Sequence, residues 1–172
     1  MTQAALALLD EGTALDGMTM REKIAAITAE IYKLPFSGRT HPGAELERLE
    51  VPPVKHHFSP GIYAREMLIP KGMLLVGKIH KYPQLNIMSR GDLSVLTDNG
   101  IERLQVTDRP ITVVSPGGTQ RIAFAHEDTV WTTVLATEET DIAKLEEHFV
   151  IDNDAAYTAS LEDQRDSKCL SV

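Results

Sequence analysis

Apolar positions along this chain change their period twice. Over "MREKIAAITAEIYKL" Ile24, Ile27 and Ile31 fall at i, i+3 and i+7, with Glu22, Lys23, Glu30 and Lys33 mostly off that stripe. This is the period of an amphipathic helix. Thr19 is placed to cap it, with Glu22 three residues later to complete a capping box, and Pro35 to stop it. The pattern predicts a helical arm over 1–35. Residues 36–60 carry Pro42, Pro52, Pro53 and Pro60 without a clean period, and read as an extended segment wrapping toward the main domain.

From 61 to 137 the period shortens. "IYAREMLI", "MLLVGKIH", "QLNIMS", "DLSVLT", "IERLQV", "ITVVS", "QRIAFA" and "TVWTTVLA" are separated by "PKG", "KYP", "DNG", "TDRP", "PGG" and "HED". Each run is short, rich in β-branched or apolar residues and bounded by turn chemistry. Asp98-Asn99-Gly100 is the strongest hairpin signal, because Asn-Gly tolerates the positive φ of a type I′ turn. About eight such strands at close spacing predict a mainly β fold, a small antiparallel barrel or jelly roll. "TEETDIAKLEEHFV" predicts a C-terminal helix within 138–150, with acidic residues in its first turn to suit the macrodipole. Residues 151–172 are polar and weakly patterned, and read as a mobile tail or a segment ordered by a partner.

Composition narrows the function classes. The 172 residues suit one domain with extensions. A net charge of −8 repels phosphate backbones, so nucleic acid is not an expected partner. The runs are too short for a membrane span, and "AALALL" lacks a basic stretch before it, so neither membrane nor secretion is expected. The single cysteine, Cys169, leaves no internal disulfide framework and argues against a cysteine zinc site. It opens a terminal "CLSV" that makes a poor prenylation box. The expected compartment is the cytoplasm. No nucleophile triad, phosphate loop or Cys-x-x-Cys is present, and "SPGGTQR" lacks the lysine-hydroxyl ending of a P-loop.

Two stretches, "GKIHKYPQLNIMSRGD" and "SPGGTQRIAFAHEDTVW", resemble the two motifs of the cupins, small double-stranded β-helix barrels. The resemblance implies a cupin-like jelly-roll barrel between an N-terminal helical arm and a C-terminal helix and tail. A cupin holds a divalent metal on two histidines and a glutamate of the first motif and a histidine after the Pro-x-Gly of the second. Here Gly77, Gly91, Pro116 and Gly118 fit the framing positions and His80 fits one histidine. Lys78, Gln84 and Arg121 occupy the other three ligand positions. One ligand of four is kept and two are replaced by cations, so the resemblance implies a lost metal site, better suited to an anion. From His56 to Asp141, runs such as "HHFSPGIYAREMLIPKGMLLVGKIHK" are similar to uncharacterised cupin-like proteins of tailed bacteriophages, in which a histidine often stands at the Gln84 position.

Strand alternation puts Lys78 and His80 on one face, as it does Gln84, Asn86 and Met88, and Arg121, Ala123 and Ala125. Either these groups line a polar pocket at the barrel mouth that takes a small anionic ligand, or they form a self-satisfied hydrogen-bond network. His126 and Glu127, on the "HED" turn, offer with His80 a two-histidine, one-carboxylate metal set if they fold inward. Otherwise the turn is simply solvated. His56 and His57 read as packing at a strand entry, and Trp131 as core. Two function classes follow. The first is a non-enzymatic binding or assembly module of a bacteriophage, a homo-oligomer or partner of phage assembly proteins, in the host cytoplasm or the virion. The second is a metal-dependent enzyme or small-molecule binder using His80, Gln84, His126 and Glu127. A divalent metal cofactor is not favoured.

Overall fold

The computed structural model describes residues 17–33, 52–97 and 100–151. Helix α1, Met20–Lys33, starts at the expected box: the Thr19 N–H donates to Glu22 Oε2 at 2.7 Å, and the Glu22 N–H donates to Thr19 Oγ1 at 3.3 Å. Ile24 and Ile27 are buried against Leu96 and Ile122 of the β domain, and Arg21 Nη2 donates to the Gly118 carbonyl at 2.7 Å. The arm therefore seats on the barrel. The side chain of Ile31, the stop at Pro35, most of the 36–60 segment and the tail beyond Ile151 lie outside the described residues.

Among the described residues nine strands follow, with one short helix between the last two: β1 Val54–Ser59, β2 Ile62–Ile69, β3 Leu74–Val76, β4 Ile79–His80, β5 Gln84–Thr97, β6 Gly100–Gln105, β7 Ile111–Ser115, β8 Ile122–Ala136, helix α2 Ile142–Phe149 and β9 Val150–Ile151. All pairings are antiparallel. The expected hairpin at Gly100 forms, with Thr97 opposite Gly100.

The long strands β5 and β8 organise the molecule. The first half of β5 pairs with β7 and with the end of β8, which in turn pairs with β2 and so with β1. The second half of β5 pairs with β6 and with the start of β8, which pairs with β3. Between the halves the β5–β8 register slips at Met88/Arg90, Arg90/Asp92 and Asp92/Leu93. Bulges of this kind bend a strand. The two halves face each other over one core, in which Met67, Ile69 and Met88 meet Leu93, Val95, Ala123 and Ala125. The result is a mainly β, jelly-roll barrel of cupin-like type.

Gly91 sits in the bent stretch with φ 112°, and a Cβ there would lie 2.5 Å from the Thr129 Cα. Only glycine lets β5 and β8 approach so closely. Four runs expected as separate strands are thus two bent ones. "HED" is not a turn but the middle of β8, where the strand bulges against Asp92 of β5 without reversing. Conversely, "MLLVGKIH" splits into β3 and β4 where the Gly77 N–H donates to the Arg121 carbonyl at 2.8 Å. The ladder also begins earlier than the period suggested, with β1 inside the segment read as extended.

Helix α2 starts later than its acidic residues. Asp141 is its cap, accepting on Oδ1 from the Ala143 and Lys144 N–H groups at 2.9 and 3.4 Å, and its first turn holds no acidic residue. Its buried residues Leu145 and Phe149 pack on Tyr63 and Leu135. Strand β9 then clips onto β4, with His80 opposite Val150.

Candidate functional site

Between the two half-sheets lies a cavity of about 740 Å³, with Leu145, Glu146, Phe149 and Val150 of α2 and β9 at one end. Alternation along three strands builds its wall. On β2 Tyr63, Arg65, Met67 and Ile69 point in; on β5 Gln84, Asn86 and Met88; on β8 Trp131, Thr133 and Leu135. Arg121 enters just before β8, beside Ala123.

All five residues expected to face a pocket, Lys78, His80, Gln84, Asn86 and Arg121, line this cavity, but they differ in what they do there. Asn86 is spent on the wall. Its Nδ2 donates to Ser115 Oγ at 2.7 Å, and its Oδ1 accepts from Thr133 Oγ1 at 2.9 Å and Trp131 Nε1 at 3.2 Å. Lys78 is half exposed at the rim, with Nζ 3.4 Å from Glu146 Oε1. It anchors the cap rather than the interior.

His80 and Gln84 are different. The Nδ1 of His80 and the Oε1 of Gln84 are buried and have no hydrogen-bond partner among the described residues. Leaving such an atom unsatisfied costs about 1–3 kcal/mol each. Burial first, then the positive charges of Arg65 and Arg121, pull the His80 imidazole down to about 4. At neutral pH it is therefore uncharged, with one ring nitrogen able to accept a hydrogen bond. The site offers positive charge from two guanidinium groups beside a neutral imidazole nitrogen and an amide oxygen that have no protein partner among the described residues.

Arg65 is the residue that sequence reading missed. It lies before the motif that opens at Gly77, in "IYAREMLI", which has the pattern of an ordinary core strand. The signal was present: Arg65 shares its face with Tyr63, Met67 and Ile69, an inward cation on an apolar stripe. His56 also reaches the mouth, where its Nδ1 lies 2.7 Å from the Tyr63 hydroxyl. Trp131 lines the cavity while its indole N–H holds Asn86 in place.

The metal set of His80, His126 and Glu127 is not brought together. No group of three or more His, Cys, Asp or Glu among the described residues is placed to share a metal ion. His126 and Glu127 lie on β8 rather than on a turn, and each is engaged elsewhere. His126 Nε2 lies 2.7 Å from Ser94 Oγ, and Glu127 Oε1 lies 2.7 Å from Lys71 Nζ on the surface. The remaining candidate ligand, His80, stands beside two arginines, whose charges oppose a divalent cation. These residues do not fit the metal that a cupin-like barrel implies, and no chemical step is derived through one.

No protein-family model matches the chain, and no curated protein matches it. It is similar in structure to an uncharacterized conserved protein with a double-stranded β-helix domain from Klebsiella pneumoniae, at 12% identity and a TM-score of 0.45, over 67% of this chain and 98% of that one. It is similar to KdgF from a Halomonas species at 22% identity and a TM-score of 0.41, over 61% of this chain and 98% of that one. A cupin-2 domain containing protein from Shewanella frigidimarina aligns at 13% identity and a TM-score of 0.40, over 54% of this chain and 85% of that one. Such distant likenesses transfer no chemistry. The mainly β jelly-roll fold rests on the strand register described above.

Proposed function

We propose that this chain is a non-enzymatic binding module whose barrel interior receives a small organic anion. One observation carries the reading: the buried His80 Nδ1 and Gln84 Oε1 lack protein partners at the wall of a cavity that Arg65 and Arg121 make positive. An anion that accepts from the guanidinium groups, and from His80 Nδ1 in the tautomer that carries its proton there, meets the positive charge and supplies that nitrogen with a partner. Charge-assisted hydrogen bonds of this kind contribute about 1.5–3 kcal/mol each. The test is thermal unfolding at pH 7.5 against a panel of organic acids and their uncharged analogues. Stabilisation by acids that is lost in Arg65→Met supports the reading. Equal stabilisation by uncharged analogues, or none by any acid, refutes it.

A second reading, assembly of copies or of phage partners, is supported by the outer face of the sheet. There Val114, 70% exposed, stands opposite Leu85, 37% exposed, across the β5–β7 pair. The resemblance of His56 to Asp141 to phage-encoded proteins points the same way. Light scattering of wild type and Val114→Lys checks it: a multimer that dissociates in the variant supports assembly through this face, and a monomeric wild type contradicts it.

A further inference from the structure

Three inward-facing rows run from polar to apolar in steps of two residues. On β2 the row is Arg65, Met67, Ile69; on β5 it is Gln84, Asn86, Met88; entering β8 it is Arg121, Ala123, Ala125. The apolar ends of all three meet in one buried cluster with Leu93 and Val95. The cavity therefore has a charged mouth and an oily floor, to which Met67, Ile69, Leu93, Val95 and Ala123 contribute. A fully hydrophilic anion satisfies only the mouth and leaves that floor facing water, whereas a purely apolar guest leaves His80 Nδ1 without a partner and the positive charge of the mouth unanswered.

We propose that the pocket selects amphiphilic organic acids, with a carboxylate held at the mouth by Arg65 and Arg121 and an apolar body laid on the floor. This rests on the anion-binding reading above and adds the chemical class of the ligand. Guanidinium groups match a carboxylate in shape as well as charge. The wall network of Asn86, Ser115, Trp131 and Thr133 holds the boundary between the two zones rigid.

The experiment is calorimetric titration of the full chain with butyrate, hexanoate and octanoate, with octanol, and with citrate and inorganic phosphate as hydrophilic anions. Binding is expected to tighten roughly two- to fourfold per added methylene, the gradient of apolar burial. Octanol is expected to bind about tenfold or more weaker than octanoate, from the lost charge-assisted bonds. In Arg65→Met, octanoate and octanol converge. In Ala123→Leu, which fills the floor and leaves the mouth intact, octanoate weakens while butyrate does not. That contrast holds even if Arg65→Met fails to fold. Binding of citrate or phosphate with no chain-length gradient among the acids overturns the amphiphilic class and leaves the anion site standing. Octanol binding as tightly as octanoate, or no binding by any anion, overturns both.

Discussion

Lowering the pH from 7.5 to 5.0 destabilises the folded chain through His80, by an amount that follows from its surroundings. In the unfolded chain the imidazole titrates near 6.5, whereas in the folded barrel burial and the two arginines pull it down to about 4. Between those values the unfolded state binds a proton that the folded state refuses, so stability rises with pH across the window. The neutral group's contribution is complete above about 6.5 and is lost as pH falls toward 4. At pH 5.0 the loss relative to pH 7.5 comes to about 2 kcal/mol for this one group. The measurement is urea unfolding at both pH values for wild type and His80→Asn. The substitution carries its own cost at either pH, which cancels, as does the titration of His126, whose folded value is also lowered by burial. The pH-induced loss in the variant is expected to be about 2 kcal/mol smaller than in wild type. An equal loss in both proteins refutes the account, since it means that His80 titrates normally and the cavity is wet and open around it.

Three further outcomes follow from single contacts. Gly91→Ala pushes a Cβ into the Thr129 backbone at a positive φ, so thermal unfolding is expected to show a loss of at least about 1–3 kcal/mol, or no folded protein at all; an unchanged midpoint means that β5 does not bend there. Asn86→Ala strips partners from Ser115, Trp131 and Thr133, and denaturant unfolding is expected to show a loss of about 2–4 kcal/mol, with the indole fluorescence changed; a cost under about 0.5 kcal/mol means the network is not formed. Arg103→Met removes both bonds, each 2.7 Å, to the buried Asp92 carboxylate, and is expected to raise the depressed Asp92 pKa in a carboxyl-detected NMR titration; an unmoved value contradicts the pairing.

How far the sequence carried this reading depended on the kind of signal. Period-two runs and glycine turns were enough for a jelly roll, and Thr19 with Glu22 for the start of α1, because those signals are local. The bend shared by β5 and β8 was not visible as such. "SRGD" carries the look of a turn whether it reverses a chain or bulges a strand, and only the partner strand decides which. The same ambiguity put His126 and Glu127 on a turn and so into a metal set with His80 that the described residues do not assemble. Lys78, His80, Gln84, Asn86 and Arg121 were found because alternation is local too. Their division into anchor, wall and orphan acceptor was hidden, since it depends on Glu146, Ser115 and Trp131, all distant in sequence. Arg65 was legible in its strand, on the face of Tyr63, Met67 and Ile69, but it lies before the motif that opens at Gly77 and no motif position points to it.

Everything proposed above for the cavity turns on an organic acid entering the barrel beside His80. The measurement that meets it most directly is an NMR titration of octanoate into protein carrying 15N-labelled histidine, observed at the imidazole nitrogens. The account predicts that His80 shifts saturably at one equivalent, while the exposed His57 stays still and the His80 response disappears in Arg65→Met. Octanoate that binds with the His80 resonance unmoved contradicts it, and places the acid somewhere other than the cavity.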